Sequence, residues 1–114
     1  MVALFEQFLL KLMHLRGLES HAVRTSFGDQ HVIKGRLKGE RAPVVLIHGL
    51  SSCAVHYYNL VRHMQSGTRG IIMPDLPGHG SSAPMSPEKR QNDLQGIVNK
   101  TLDDVIDEPS VIFG

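Results

Sequence analysis

Apolar residues near the start of the chain recur at helical spacing. The polar residues Glu6, Gln7 and Lys11 interrupt them, and Gly17 is typical of a residue that follows a helix. The pattern predicts an amphipathic N-terminal helix within residues 1–18, ahead of a domain that occupies 19–114. We expect the helix to pack on this domain, with contact to a membrane surface or a partner as the alternative. Its predicted apolar face comprises Leu4, Phe5, Phe8, Leu9, Leu12 and Met13.

Two short β-prone segments follow the helix, at 21–27 and 31–37. Gly28, Asp29 and Gln30 separate them, and glycine and aspartate suit a tight turn. The sequence therefore predicts a β-hairpin that turns at these three residues.

Three later runs, at 44–47, 71–73 and 111–113, are apolar without alternation, as expected of strands that are buried on both faces. Helical periodicity lies between them, first from 54 to about 65 and then after Ser86, where serine and Pro87 form a typical helix start. The alternation of strands and helices predicts an α/β fold with a mostly parallel sheet and flanking helices.

Composition narrows the possible functions. The 114 residues are 41% hydrophobic with a formal net charge of +1 and no cluster of one sign, so we expect neither nucleic acid nor an anionic membrane as a partner. Cys53 is the lone cysteine and cannot form an intrachain disulfide, which favours a cytoplasmic location. The first 18 residues lack the features of a signal peptide and are too short and charged for an integral membrane segment.

The candidate chemistry lies where the buried strands end, because open α/β sheets meet their ligands at the carboxyl ends of the strands. The first strand runs into His48 and Gly49, the second into a glycine-rich turn that starts at Asp75, and the third into Gly114.

The chain has, in this order, a strand ending in His-Gly, a P-D-x-x-G-x-G-x-S turn and a strand ending in Gly. In these features it resembles the α/β-hydrolase superfamily. The resemblance covers roughly residues 20–114 and implies the N-terminal portion of that fold. It also implies that His48 and Gly49 form the oxyanion-loop motif and that Leu50 donates its backbone N–H to the oxyanion. We expect His48 itself to shape the strand end and not to act as the catalytic histidine.

The resemblance further implies that Gly114 is the first glycine of the G-x-S-x-G nucleophile elbow. The nucleophile would then stand two residues beyond Gly114, with the acid and the histidine base further along, so no catalytic residue is expected within 1–114. The segment alone is expected to be inactive. Ser51 and Ser52 are candidates for lining the pocket.

The turn after the second buried strand contains Asp75, His79, Ser81 and Ser82. These residues could suggest a local triad, but the chain order of this superfamily places nucleophile, acid and base elsewhere. We expect Asp75, with Gly78 and Gly80, to hold the turn through hydrogen bonds from its side chain to the backbone.

Two departures from superfamily patterns bear on the substrate. Leu50 has no side-chain donor where dehalogenases commonly have Asn or Trp, and Ser52 stands where epoxide hydrolases usually have proline. An ester, thioester or other small-molecule acyl substrate is the remaining expectation. We expect no cofactor. We also expect no metal, because His56 and His63 would lie about 10 Å apart along one helix, too far to bind one ion together.

Two alternatives remain open. Residues 78–83 also match the G-x-G-x-x-A fingerprint of dinucleotide-binding domains, although Pro84 and Pro87 intervene before the next helix, where the pyrophosphate would need a helix N-terminus. The chain could also be a non-catalytic binding protein of the same fold.

Overall fold

The computed structural model describes residues 3–25, 28–49, 52–83 and 91–114, without the side chains of 91–94. Its helices and strands, in chain order, are α1 (Leu4–Leu15), β1 (Glu19–Thr25), β2 (Gly28–Arg36), β3 (Val44–Leu46), a 3₁₀ helix (Ala54–Tyr57), α2 (Tyr58–Met64), β4 (Gly70–Pro74), α3 (Gln91–Val105) and β5 (Val111–Phe113). Within this described part, no helix is long and apolar enough to cross a membrane.

The five strands form one sheet in the order β1, β2, β4, β3, β5. The strands β4, β3 and β5 run parallel, whereas β2 is antiparallel to both of its neighbours. The predicted α/β fold with a mostly parallel sheet and flanking helices is therefore confirmed, with an antiparallel hairpin added at one edge.

Hydrophobic residues fill the space on both faces of the sheet. On one face Ile33, Ile71 and Met73 pack with α1 and the 3₁₀ helix. On the other face Val32, Val45 and Ile72 pack with α3 through Leu102 and Val105. Successive residues of one strand point to opposite faces, so a strand with helices on both sides has no polar positions. This explains the apolar runs that predicted β3 and β4.

The predicted hairpin forms, but the predicted position of its turn is wrong. Gly28, Asp29 and Gln30 belong to β2, and Thr25 pairs with Gly28, so the connection is made by residues 26–27, which lie outside the described part of the chain. The longer ladder pairs backbone groups that a turn at 28–30 would remove from the sheet. It also places Gln30 in the interior, opposite Val23.

Helix α1 lies where the sequence predicts it, and the chain leaves it through Gly17 in the left-handed region, with φ +89°. Met13 is fully buried, and Leu9 and Leu10 pack against the core. The predicted apolar face is only partly correct, because Leu4, Phe5 and Phe8 are exposed. The apolar stripe is wider than the surface on which α1 packs, and the covered side includes Glu6, whose Oε2 accepts a hydrogen bond from Cys53 Sγ and lies 2.8 Å from His56 Nε2.

Strand β5 forms the edge of the sheet and hydrogen-bonds to β3 alone among the described strands. Its residues Val111, Ile112 and Phe113 are 48%, 56% and 58% exposed, although their composition is that of a buried strand. The predicted start of α3 at Ser86 and Pro87 lies outside the described residues.

Candidate active site

The strand ends singled out by the sequence lie together at one end of the sheet, where the parallel strands have their carboxyl ends. Leu46 at the end of β3 pairs with Phe113 at the end of β5, and Ile47 N donates to Phe113 O at 2.9 Å, so Gly114 lies beside the start of the His48–Gly49 loop. Strand β4 also finishes at this end of the sheet, since it runs parallel to β3. The sheet thus brings His48, Gly49, Asp75 and Gly114 to one place.

Asp75 directly follows β4 and is 4% exposed. One carboxylate oxygen, Oδ1, accepts a hydrogen bond from Ala54 N at 2.7 Å. The other, Oδ2, accepts from Ser81 N at 3.1 Å and lies 2.7 Å from Nδ1 of His31. Burial raises the pKa of Asp75, but the bonds from His31, Ala54 and Ser81 together outweigh it, and the pKa lies below its ordinary value. Asp75 therefore joins three segments as a buried carboxylate.

The glycine-rich turn closes around this carboxylate. Gly80 adopts φ +52°, and a Cβ there would lie 2.5 Å from both carboxylate oxygens of Asp75, so only glycine fits. Gly78, at φ +79°, donates its N–H to Ala83 O. Because Ser81 N already binds a carboxylate, a phosphate would meet negative charge here. This arrangement disfavours the dinucleotide-binding alternative.

His48 connects the loop after β3 with the turn after β4. Its Nε2 accepts the N–H of Leu76 at 2.9 Å, so the ring carries its hydrogen on Nδ1 and donates it to Gly49 O at 2.7 Å. Both nitrogens are thus engaged with the backbone, and the residue is 4% exposed. This geometry supports a structural role for His48.

Gly49 is exposed, and a Cβ built on it would meet no atom of the described residues within 4 Å. The predicted oxyanion donor Leu50 and the predicted pocket residue Ser51 lie outside the described residues. Ser52 is half-buried, and its N–H donates to Gly49 O at 3.2 Å. A side chain at position 49 would therefore not collide with the described residues.

Sequence reasoning missed a chain of polar side chains that continues from Asp75. Nε2 of His31 lies 2.8 Å from Ser20 Oγ, which also lies 2.8 Å from Nε2 of His14. Ser20, His31 and Asp75 thus make the contacts of a Ser-His-Asp triad. The proximity of Ser20 and His31 follows only from the strand register. Ala22 pairs with His31, and Ser20, two residues before Ala22, therefore lies on the same face of the sheet as His31.

The described residues contain one group of three possible metal ligands. Donor atoms of Glu6, Cys53 and His56 all lie within 4.8 Å of one another. Burial, followed by the hydrogen bond to the Glu6 carboxylate, raises the pKa of the Cys53 thiol to about 12. A thiol in this environment is not a thiolate nucleophile at neutral pH.

An open groove of about 650 Å³ lies at the opposite end of the sheet, where Lys34, Arg36, Arg69 and Glu108 are among its lining residues. Ligands of α/β sheets bind at the carboxyl ends of the parallel strands, whereas this groove adjoins their amino ends at Pro43 and Gly70. The candidate site therefore lies at the carboxyl end of the parallel strands, where His48 and Asp75 are located.

No protein-family model matches the sequence, and the search of curated proteins found no significant match. Solved structures do match. An N-acyl homoserine lactonase, AidH, in complex with N-hexanoyl homoserine, is 26% identical with a TM-score of 0.66, over 85% of this chain and 36% of that one. The Cif epoxide hydrolase from Acinetobacter nosocomialis is 20% identical with a TM-score of 0.67, over 95% of this chain and 36% of that one.

A haloalkane dehalogenase, DatA from Agrobacterium tumefaciens C58, is 23% identical with a TM-score of 0.69, over 84% of this chain and 32% of that one. The chain spans about a third of the length of these three proteins, whose names cover three different reactions. The likeness concerns the fold, and it agrees with the strand order and the loops described above. The chain therefore has the fold of the N-terminal part of an α/β-hydrolase.

Proposed function

We propose that this chain is the N-terminal segment of a hydrolase that cleaves an ester or other acyl bond in a small molecule. The observation that carries the proposal is the parallel pairing of β3 with β5, which sets Gly114 beside the loop that contains His48 and Gly49. A nucleophile two residues after Gly114 would then lie near this loop, in which the superfamily pattern assigns the oxyanion donor to the Leu50 N–H.

In this proposal the segment supplies half of an oxyanion hole. The Leu50 N–H would stabilise the developing oxyanion, an effect of about 3 kcal/mol for one preorganised donor. His48 would hold the loop in place through Gly49 O and the N–H of Leu76. The nucleophile, acid and base would follow Gly114, so the segment alone would not catalyse the reaction.

The acyl substrate is supported by Leu50 and Ser52, which depart from the patterns of dehalogenases and epoxide hydrolases. The structural neighbours include proteins named for both of those reactions and a lactonase, so they leave the choice to the chemistry of the nucleophile. A serine there favours acyl transfer, an aspartate favours the other two reactions, and a residue that cannot attack favours a binding protein.

A second candidate is hydrolysis at Ser20, since its distance to His31 and the distance from His31 to Asp75 are those of a triad. It has less support. Ser20 lies within the extended strand β1, whereas an elbow nucleophile sits on a sharp turn beside oxyanion donors. Its hydroxyl is also shared with His14.

A serine-directed fluorophosphonate separates these possibilities. The full-length protein is labelled, digested and mapped by mass spectrometry. We expect one adduct, at a serine two residues after Gly114, and none when that serine is replaced by alanine. An adduct at Ser20 that disappears in His31→Gln would instead support the second candidate. A protein that contains the serine and acquires no adduct would contradict the proposed function.

A further inference from the structure

Three side chains with metal-binding atoms meet where α1 contacts the segment after β3. Glu6 lies in the first turn of α1, Cys53 immediately precedes the 3₁₀ helix, and His56 belongs to that helix. Oε2 of Glu6 lies 2.8 Å from Nε2 of His56 and 3.2 Å from Cys53 Sγ. Cys53 Sγ and His56 Nε2 are 3.8 Å apart.

We propose that these three side chains form a zinc site. Tetrahedral zinc has bonds of about 2.0–2.1 Å to nitrogen or oxygen and about 2.3 Å to sulfur, so its ligand atoms stand about 3.3–3.6 Å apart. The three distances observed differ from those values by about half an ångström or less. Because the His56 and Glu6 side chains are 39% and 21% exposed, small movements of their ends would complete the geometry.

The surroundings orient the donor atoms toward one point. Nδ1 of His56 lies 2.8 Å from Ser52 Oγ, which leaves Nε2 directed at the cluster. A polar partner on the second ring nitrogen is the usual outer-shell arrangement of a metal-bound histidine. The other carboxylate oxygen of Glu6, Oε1, accepts the Ala3 N–H at 3.1 Å, so Oε2 is the one available for a metal.

The ligand set determines which metal fits. Sulfur, imidazole and carboxylate together suit zinc, whereas calcium and magnesium prefer oxygen ligands throughout. On binding, the Cys53 thiol loses to solvent the proton that it now donates to Glu6 Oε2. The hydrogen that His56 Nε2 directs at Glu6 Oε2 is lost from that nitrogen, and the neutral ring keeps its hydrogen on Nδ1, facing Ser52 Oγ. One bond then forms from zinc to each of sulfur, nitrogen and oxygen. Water would take the fourth position.

A zinc ion here would fasten the first turn of α1 to the segment after β3. Glu6 and Cys53 are 47 residues apart in sequence, so the ion would cross-link distant parts of the chain. This site is independent of the proposed hydrolase activity, and it departs from the sequence-based expectation that no metal binds.

Cobalt(II) serves as a spectroscopic probe of the site. The metal-free full-length protein is titrated with Co²⁺ while its absorption spectrum is recorded. We expect a thiolate-to-cobalt charge-transfer band and visible bands of tetrahedral intensity, which one equivalent of Zn²⁺ removes. Cys53→Ser should abolish the charge-transfer band. Ser52→Ala, which removes the outer-shell partner, should weaken binding about 10- to 100-fold.

His63→Gln is the matched control, because His63 follows on α2 and its ring bonds to Asn59 O outside the cluster. This variant should bind Co²⁺ like the wild type, whereas His56→Gln should not. Circular dichroism of each metal-free variant checks folding, and the nearly isosteric Glu6→Gln provides a further ligand variant if Cys53→Ser is unfolded. A wild-type spectrum without the charge-transfer band, or equal losses in His56→Gln and His63→Gln, would overturn the zinc site.

Discussion

Replacing Asp75 should destabilise the protein far more than replacing an exposed aspartate. In Asp75→Ala, the N–H groups of Ala54 and Ser81 lose their acceptor, and His31 loses its carboxylate partner. Each hydrogen bond to a charged group contributes about 1.5–3 kcal/mol. Breaking a buried pair by removing one partner costs about 3–5 kcal/mol, so we expect the free energy of unfolding to fall by about that amount. Asp75→Asn keeps one acceptor oxygen and should cost roughly half as much.

Urea denaturation of the full-length protein measures this change, provided that the slope with denaturant stays constant. Asp29→Asn is the control, since Asp29 is 55% exposed on its side chain and lies 3.6 Å from Arg24. It should change the free energy of unfolding by less than about 1 kcal/mol. A loss below about 1 kcal/mol for Asp75→Ala would refute the reasoning that this carboxylate holds the site together.

The same carboxylate predicts a pH dependence. The folded-state pKa of Asp75 lies below its ordinary value, because the bonds from His31, Ala54 and Ser81 outweigh burial. Its stabilisation is therefore complete above the unfolded-state pKa of about 3.9 and is lost as the pH falls through the lower folded-state pKa. The difference in unfolding free energy between the wild type and Asp75→Asn should shrink in that acidic range. An unchanged difference there would contradict the assignment.

Three further predictions concern glycines and the sheet edge. Gly49→Val in the full-length protein should fold, since a Cβ there meets no described residue within 4 Å. It should lower kcat about 10²- to 10³-fold with little change in KM, because a branched side chain would displace a backbone donor that acts mainly in the transition state; wild-type kcat would remove the oxyanion role of this loop. Gly80→Ala should lower the free energy of unfolding by about 1–3 kcal/mol, because the added Cβ clashes with Asp75 at a positive φ. Gly96→Ala, whose Cβ would meet no described atom within 4 Å, should be neutral or stabilising. The 114 residues expressed alone should fold poorly, because β5 exposes its apolar side chains; slow amide exchange at Val111 to Phe113 with a cooperative thermal transition would contradict this.

The sequence predicted the parts of the fold that depend on local pattern. The runs at Val44–Leu46 and Gly70–Pro74 lack polar positions because helices cover both faces of the sheet, and that absence is visible in one dimension. The turn of the hairpin was misplaced because the ladder from Glu19 to Lys34 extends past residues that favour a turn in isolation. Backbone pairing overrode the local preference of Gly28 and Asp29.

The contacts that assemble the site depend on packing and not on local pattern. His31 and Asp75 are 44 residues apart, and they meet because an antiparallel strand is inserted next to β4. Likewise, the periodicity of α1 shows an apolar stripe but not which part of it the sheet covers. Only packing reveals that Glu6, rather than Phe5 or Phe8, faces the domain.

The position of β2 has a consequence for protein engineering. Since β2 runs antiparallel to β4, the first residues of β2 lie at the end of the sheet where β4 finishes. There Asp75 N donates a hydrogen bond to His31 O. Ser82 bridges the same two segments, since its hydroxyl donates to Asp75 O and accepts from His31 N. The hairpin and the turn after β4 therefore need to be transferred together when segments are exchanged between proteins of this fold. A chimera that exchanges one of them between related proteins would break these bonds, whereas exchanging both together would preserve them.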